Sequence, residues 1–178
     1  MIRRAQSGDR GAFGELFQAY QVKAFRTAYL ITRDRHLAED MTQEAFVRAY
    51  LAIKRCDPDR PFAPWFFRIL INICRTTVER RGRQVSVAQV PEEPTVDDGL
   101  GPIDARAVVW RALQRLEPVH RDPLMLRYYH QFTDPEIAEA LDLPLGTVKS
   151  RLHKARKLLE EQLGPAAERD LAEKEALS

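Results

Sequence analysis

Apolar residues along this chain recur at three- and four-residue intervals and nowhere alternate over a useful length, which predicts helices and no strands. After Ser7-Gly8-Asp9, the residues Phe13, Phe17, Tyr20, Phe25 and Tyr29 follow helical spacing and predict a long first helix with an aromatic core face. A second helix, from about Leu37 to Ile53, is expected to bury Phe46, Tyr50 and Ile53 and to expose Glu39, Asp40, Gln43 and Glu44. Cys56, Asp57, Pro58, Asp59, Arg60 and Pro61 then read as a proline-braced loop. From Phe62 to Arg75 aromatic and basic residues interleave. Trp65, Ile69 and Ile73 share one helical face, and Arg68, Asn72 and Arg75 share a neighbouring one that runs on to Arg80, Arg81 and Arg83.

The best-specified local pattern lies further on. Thr133 and Glu136 have capping-box spacing, with Phe132 and Ile137 placed as a hydrophobic staple, so a helix starts there in a fixed register. Ile137, Ala138 and Leu141 give it an apolar face, and Asp142-Leu143-Pro144 ends it, because the residue before a proline is pushed out of helical geometry. In the next helix Leu145, Val148, Leu152, Ala155 and Leu159 form one stripe, while Lys149, Ser150, His153 and Lys154 lie opposite. Five of the nine positions from Lys149 to Lys157 are Lys or Arg. This is the pattern of a helix-turn-helix that reads duplex DNA: amides near Gly146 and Thr147 approach a phosphate, and long donors one turn later reach base edges. Arg151, Arg156 and Lys157 are placed for backbone phosphates. An amphipathic hairpin whose charges are merely solvated has the same spacing, but the clean turn and one-sided basicity favour DNA.

Between these blocks Pro91, Pro94, Gly99, Gly101 and Pro102 interrupt any periodic pattern, and Glu92, Glu93, Asp97 and Asp98 make the stretch acidic. It reads as a flexible linker. The expected organisation is all-α: a helical domain over 1–81, a linker over 82–103, a second helical domain over 104–163 and a short charged tail over 164–178. Domains this small are only marginally stable alone. The net charge of +2 hides an uneven distribution. Residues 1–81 carry +6 (15 basic, 9 acidic), 82–103 carry −3 (1 and 4), 104–163 carry +1 (10 and 9) and 164–178 carry −2 (2 and 4).

Composition narrows the function classes. The 178 residues are 44% hydrophobic and 30% charged, with no apolar run of membrane-spanning length and no signal-peptide pattern at the start, so a cytoplasmic protein without membrane insertion is expected. Cys56 and Cys74 are isolated thiols, neither a disulfide framework nor a zinc signature. His36, His120, His130 and His153 form no ligand spacing, and no phosphate loop or nucleophile–base arrangement occurs, so no metal, cofactor or catalytic residue is expected. Asp40 and Glu44 repel at i,i+4 on an otherwise basic domain. On the residues alone, both a solvated face and a docking face for a basic partner fit them. The arginines from Arg68 onward suit backbone phosphates, with the 56–61 loop as a pocket for an unstacked base, whereas Trp65 and Phe66 read mainly as core.

The blocks IRRAQSGDRGAFGELF, LAEDMTQEAFVRAY, PFAPWFFRILINICR and TDPEIAEALDLPLGTVKSRLHKARKLL, in that order, resemble the extracytoplasmic-function sigma factors of bacterial RNA polymerase, over roughly residues 2–163. The resemblance implies sigma region two joined by a tether to sigma region four. It further implies that Glu39, Asp40, Gln43 and Glu44 dock on the clamp helices of the largest polymerase subunit, and that region four meets the flap of the second largest. The loop from Cys56 through Asp57, Pro58, Asp59 and Arg60 would capture a flipped −10 base, with Arg68, Asn72, Arg75, Arg80 and Arg81 holding melted DNA. Gly146, Thr147, Lys149, Ser150, Arg151, His153, Lys154, Arg156 and Lys157 would meet the −35 duplex. An anti-sigma protein is the implied regulator. Two departures stand out: Asp57-Pro58 replaces the Arg-Gly common in the family's loops, and Gln131 stands where a glycine is usual. No appended regulatory domain and no long acidic N-terminal extension is expected. A polymerase-independent helix-turn-helix regulator is the alternative, though such proteins usually dimerise on paired half-sites and would leave the first domain's pattern idle.

Overall fold

The computed structural model describes residues 1–84 and 112–163, and among them every regular element is helical. The chain divides into two compact units, the first containing 1–84 and 136–142 and the second 112–135 and 143–163 of the described residues. The acidic linker, apart from its first residues, and the charged tail lie outside the described residues.

In the first unit a short helix, α1 (Ile2–Gln6), precedes the predicted long helix α2 (Arg10–Thr32). Gly8 at φ +95° turns the chain between them, a backbone geometry that suits glycine. Asp9 caps α2, accepting from the Ala12 amide at 3.1 Å, and Arg33 closes it with φ 55°, its backbone N–H donating to the Tyr29 carbonyl at 2.8 Å. Asp34 immediately caps α3 (Arg35–Ala52), accepting from Leu37 at 2.9 Å. A 3-10 turn, Ile53–Arg55, delivers the loop that precedes α4 (Phe62–Gln84). Helix α4 runs on to Gln84, past the expected domain end at Arg81, because Gly82 lowers helical propensity without stopping the helix.

Helices α2, α3 and α4 pack pairwise around an aromatic core. Phe46 lies 4.5 Å from Phe66 and 4.7 Å from Phe17 between ring centroids, and Phe62 stacks on Phe66 at 5.5 Å. Such pairs add about 0.5–1.5 kcal/mol each beyond their burial. Two expected faces are corrected. The core stripe of α4 is Phe62, Phe66, Phe67, Leu70, Ile71, Ile73 and Cys74, while Trp65 and Ile69 sit at its margin. Tyr50 is 41% exposed, lying edge-on to Phe13 at 5.0 Å. With two neighbouring helices to cover, the true apolar faces are wider than one residue per turn.

The second unit begins with a helical turn over 112–115, then α5 (Pro118–Leu124), which widens to π geometry over Met125–Tyr129. Pro118 opens α5 at the position where its missing amide costs nothing. Leu124, Met125 and Leu126 are fully buried, and Arg121 and Asp122 form a buried ion pair at 2.8 Å. Gln131, at φ 58°, occupies the left-handed conformation that glycine adopts without strain. Helix α6 (Asp134–Leu141) starts where the capping box predicts and ends at Asp142, φ 56°. Helix α7 (Leu145–Leu163) follows, with Pro144 just before it, its carbonyl accepting from Val148 at 3.1 Å. Val148, Leu152, Ala155 and Leu159 are buried and α5 packs on α7, but Leu145, the expected first member of that stripe, is 42% exposed.

Candidate nucleic-acid and partner interfaces

The exposed side of α7 is where the sequence places it. Lys149, Ser150, His153 and Lys154 all face outward, opposite the buried stripe. No acidic residue stands in the first turn, so the positive end of the helix dipole, with Gly146 exposed and Thr147 half-buried, is uncompensated. The Ser150 hydroxyl donates to the Thr147 carbonyl at 3.0 Å, which leaves its lone pairs outward. Arg151 is half-buried and Lys157 exposed. Arg156 is also half-buried, and its Nε donates to the Tyr128 hydroxyl at 3.1 Å. That tether, inside the unit, makes Arg156 a fixed cation rather than a roaming phosphate donor. At the other end of the turn, Arg127 pairs with Asp134 at the start of α6.

In the first unit the acidic cluster on α3 is partly self-neutralised. Arg35 pairs with Glu39 at 3.2 Å and Arg48 pairs with Glu44, both at i,i+4. The expected Asp40–Glu44 repulsion is thus offset by Arg48. Asp40 and Gln43 are exposed and have no such partner among the described residues. Helical spacing carries the same face on to Val47 and Leu51, 58% and 77% exposed. Sequence reasoning missed these two; the available signal was that they are apolar yet lie off the Phe46–Ile53 core stripe.

The loop residues separate into support and surface. Cys56 is buried, and burial pushes its thiol up to about 11, with the neighbouring Asp57 charge adding to the effect. The thiol is therefore an uncharged packing group in this structure. Asp57, Asp59 and Arg60 are exposed and Pro58 half-buried. Asp57 Oδ1 accepts from the Asp59 amide at 3.0 Å, so the acidic side chain shapes the turn. On α4, Asn72, Arg80 and Arg81 are exposed and Arg68 and Arg75 half-buried. Arg81 pairs with Asp34 at 3.0 Å, fastening the end of α4 to the start of α3. No described group of His, Cys, Asp and Glu side chains could hold a metal, and no described helix is long and apolar enough to cross a membrane.

An acidic helix beside a proline-braced loop in one helical unit, and a basic recognition helix in the other, define a two-part DNA-reading protein of transcription. The sequence matches Sigma-70 region 2 over residues 16–84 and Sigma-70, region 4 over residues 106–159. It is 31% identical to the ECF RNA polymerase sigma factor SigW of Bacillus subtilis, over 91% of this chain and 94% of that one. It is also 31% identical to the RNA polymerase sigma-H factor of Pseudomonas aeruginosa, over 93% of each chain. The solved structure of CnrH in complex with the cytosolic domain of CnrY is similar, with a TM-score of 0.69 and 28% identity over 91% of this chain and 94% of that one. A Bartonella quintana sigma factor RpoE, solved with the anti-sigma factor NepR, shares the fold at a TM-score of 0.71, with 23% identity over 85% of this chain and 96% of that one. The chain belongs to the extracytoplasmic-function sigma factors of the sigma-70 family and directs transcription initiation.

Proposed function

We propose that the two units divide promoter recognition between them, with α7 reading the −35 duplex and the first unit engaging core polymerase and the melted −10 strand. The observation that carries this reading is the segregation on α7: an apolar stripe fully withdrawn from solvent, and Lys149, Ser150, His153 and Lys154 on the opposite side at a helix start free of acids. Lys149 and Lys154 reach base edges or phosphates, Gly146 and Thr147 offer amides to a phosphate, and Arg151, Arg156 and Lys157 supply flanking positive charge. In the first unit Asp40 and Gln43 meet the clamp helices, flanked by Glu39 and Glu44, and Val47 and Leu51 continue that surface as its apolar part. Asp57, Pro58, Asp59 and Arg60 present the −10 loop. Arg68, Asn72, Arg75 and Arg80 follow the single strand. The reaction itself belongs to polymerase, and this chain is a cytoplasmic, non-enzymatic partner.

A protein regulator of the anti-sigma kind completes the reading. The exposed Asp40–Leu51 face, part acidic and part apolar, offers such a partner a docking surface. If the purified chain initiates at full rate whatever protein its genomic neighbour supplies, this part fails.

Run-off transcription by core polymerase, with and without the chain, tests the main reading. Transcripts should require the chain and should be lost both in Asp40→Ala/Gln43→Ala and in Lys149→Ala/Lys154→Ala. Tight duplex binding without any engagement of core polymerase would overturn it in favour of a stand-alone regulator.

A further inference from the structure

The short helix α1 lies outside the residues matched to the sigma region, yet it is bonded to the loop proposed to read the −10 element. The Gln6 side-chain amide donates to the Ile53 carbonyl at 3.1 Å and to the Cys56 carbonyl at 2.7 Å. Both partners are acceptors, so the amide orientation is fixed: only the NH2 end satisfies them, one hydrogen to each. Ile53 begins the 3-10 turn at the end of α3, and Cys56 is where the backbone leaves that turn in extended geometry. The last carbonyls of a helix have no partner within it, and here the partner comes from a residue 47 to 50 positions earlier. Arg3 adds an exposed ion pair to Asp59 at the loop's far side. Helix α1 and the loop also wall one cavity of about 410 Å³, in which Tyr20, Phe62 and Pro58 meet Arg3 and Arg4. Aromatic and cationic groups around such a space suit a nucleobase and its phosphate.

We propose that Gln6 is a positioning residue for −10 recognition: it holds the exit of the 3-10 turn so that the 56–61 loop keeps one shape beside this cavity and discriminates among unstacked bases. This rests on the reading of the loop as the −10 element's reader. Selectivity among bases needs a site held to a fraction of an ångström, and a loop released at its first carbonyl samples several shapes.

The test measures initiation on promoters carrying each of the four bases at the flipped −10 position, alongside core-polymerase affinity and −35 duplex affinity. Gln6→Leu keeps the volume and removes both donors. Its preference for the best base over the others should fall roughly ten-fold, the change expected for two lost hydrogen bonds, with core and duplex affinities retained. Gln6→Met, unbranched like glutamine and without a donor, should shift the preference the same way, and it decides the matter if Gln6→Leu does not fold. Asp57→Ala and Pro58→Gly run in the same panel. If those loop variants alter base preference and the α1 variants do not, the role of Gln6 is overturned while the loop reading stands. If the loop variants also leave base preference unchanged, the reading of the loop itself is wrong.

Discussion

Gln131 carries a conformational cost that one substitution can test. A non-glycine residue at φ 58° costs about 1–2 kcal/mol relative to the ordinary helical region, and glycine gives back part of that gain through its freer unfolded chain. Gln131→Gly should therefore raise the thermal midpoint by a few degrees, a net gain of about 0.5–1 kcal/mol. A lowered midpoint in calorimetry would mean that the Gln131 side chain contributes more than its backbone costs. Asp34 offers a second residue-scale test. The Leu37 amide, first, and the Arg81 guanidinium hold its carboxyl below the usual range. Because the folded value is the lower one, the stabilisation is complete above the unfolded value of about 4 and is lost as pH falls through the folded value. Asp34→Asn keeps the capping oxygen and loses the charge, so it should melt below the parent at pH 7 and together with it in strong acid. A gap that persists unchanged in acid would assign the effect to something other than that carboxylate. Sequence reasoning placed Lys149, His153 and Lys154 correctly on an outward face because helical spacing alone decides that. It did not foresee that Cys56 is buried and overlooked Gln6, since burial of a loop residue and a bond across half a domain are not local properties.

Elements are where the packing shows. Phe66 is fully buried at the crossing of α2, α3 and α4, in ring contact with Phe46, Phe62 and Phe67. Phe66→Ala should cost about 3–5 kcal/mol, enough to consume much of a small domain's stability, whereas Trp65→Ala, at the margin, should cost clearly less. Urea unfolding monitored by circular dichroism distinguishes the two. Equal losses would place Trp65 in the core after all. In the second unit the buried Arg121–Asp122 pair makes an opposite kind of demand. Removing Asp122 alone strands a buried guanidinium and should destabilise by about 3–5 kcal/mol, more than replacing both residues with apolar ones of similar volume. The start of α6 at the capping-box spacing and its stop before Pro144 were legible, because each is set within one turn, whereas the Asp9 and Asp34 caps, though equally local, went unread. Helix α1 and the π segment were not, since neither has a periodic run long enough to stand out.

Across the whole molecule the two proposed working surfaces lie on separate units. Substitutions on them should act independently, with free-energy losses that add. Lys149→Ala/Lys154→Ala should weaken −35 duplex binding and lower its salt dependence by about one phosphate contact per residue, leaving core affinity unchanged. Asp40→Ala/Gln43→Ala should do the reverse. Combined, the four substitutions should reproduce both single defects in filter-binding and core-pulldown titrations; a larger combined loss in either would reveal coupling between the surfaces.

The sequence by itself determined the long helices, the start and stop of α6, the two-part organisation, the family and the outward side of the recognition helix. Those follow from periodicity, from side chains reaching backbone groups a few positions away, and from motifs in order. Only the tertiary structure decided which flank of each amphipathic stripe is covered, as at Tyr50, Trp65 and Leu145, and which apolar residues, Val47 and Leu51, stay in solvent. It also decided that Gln6 holds the loop that begins at Cys56. These outcomes depend on neighbours distant in sequence, and a helical period carries no information about which helix arrives to cover a face.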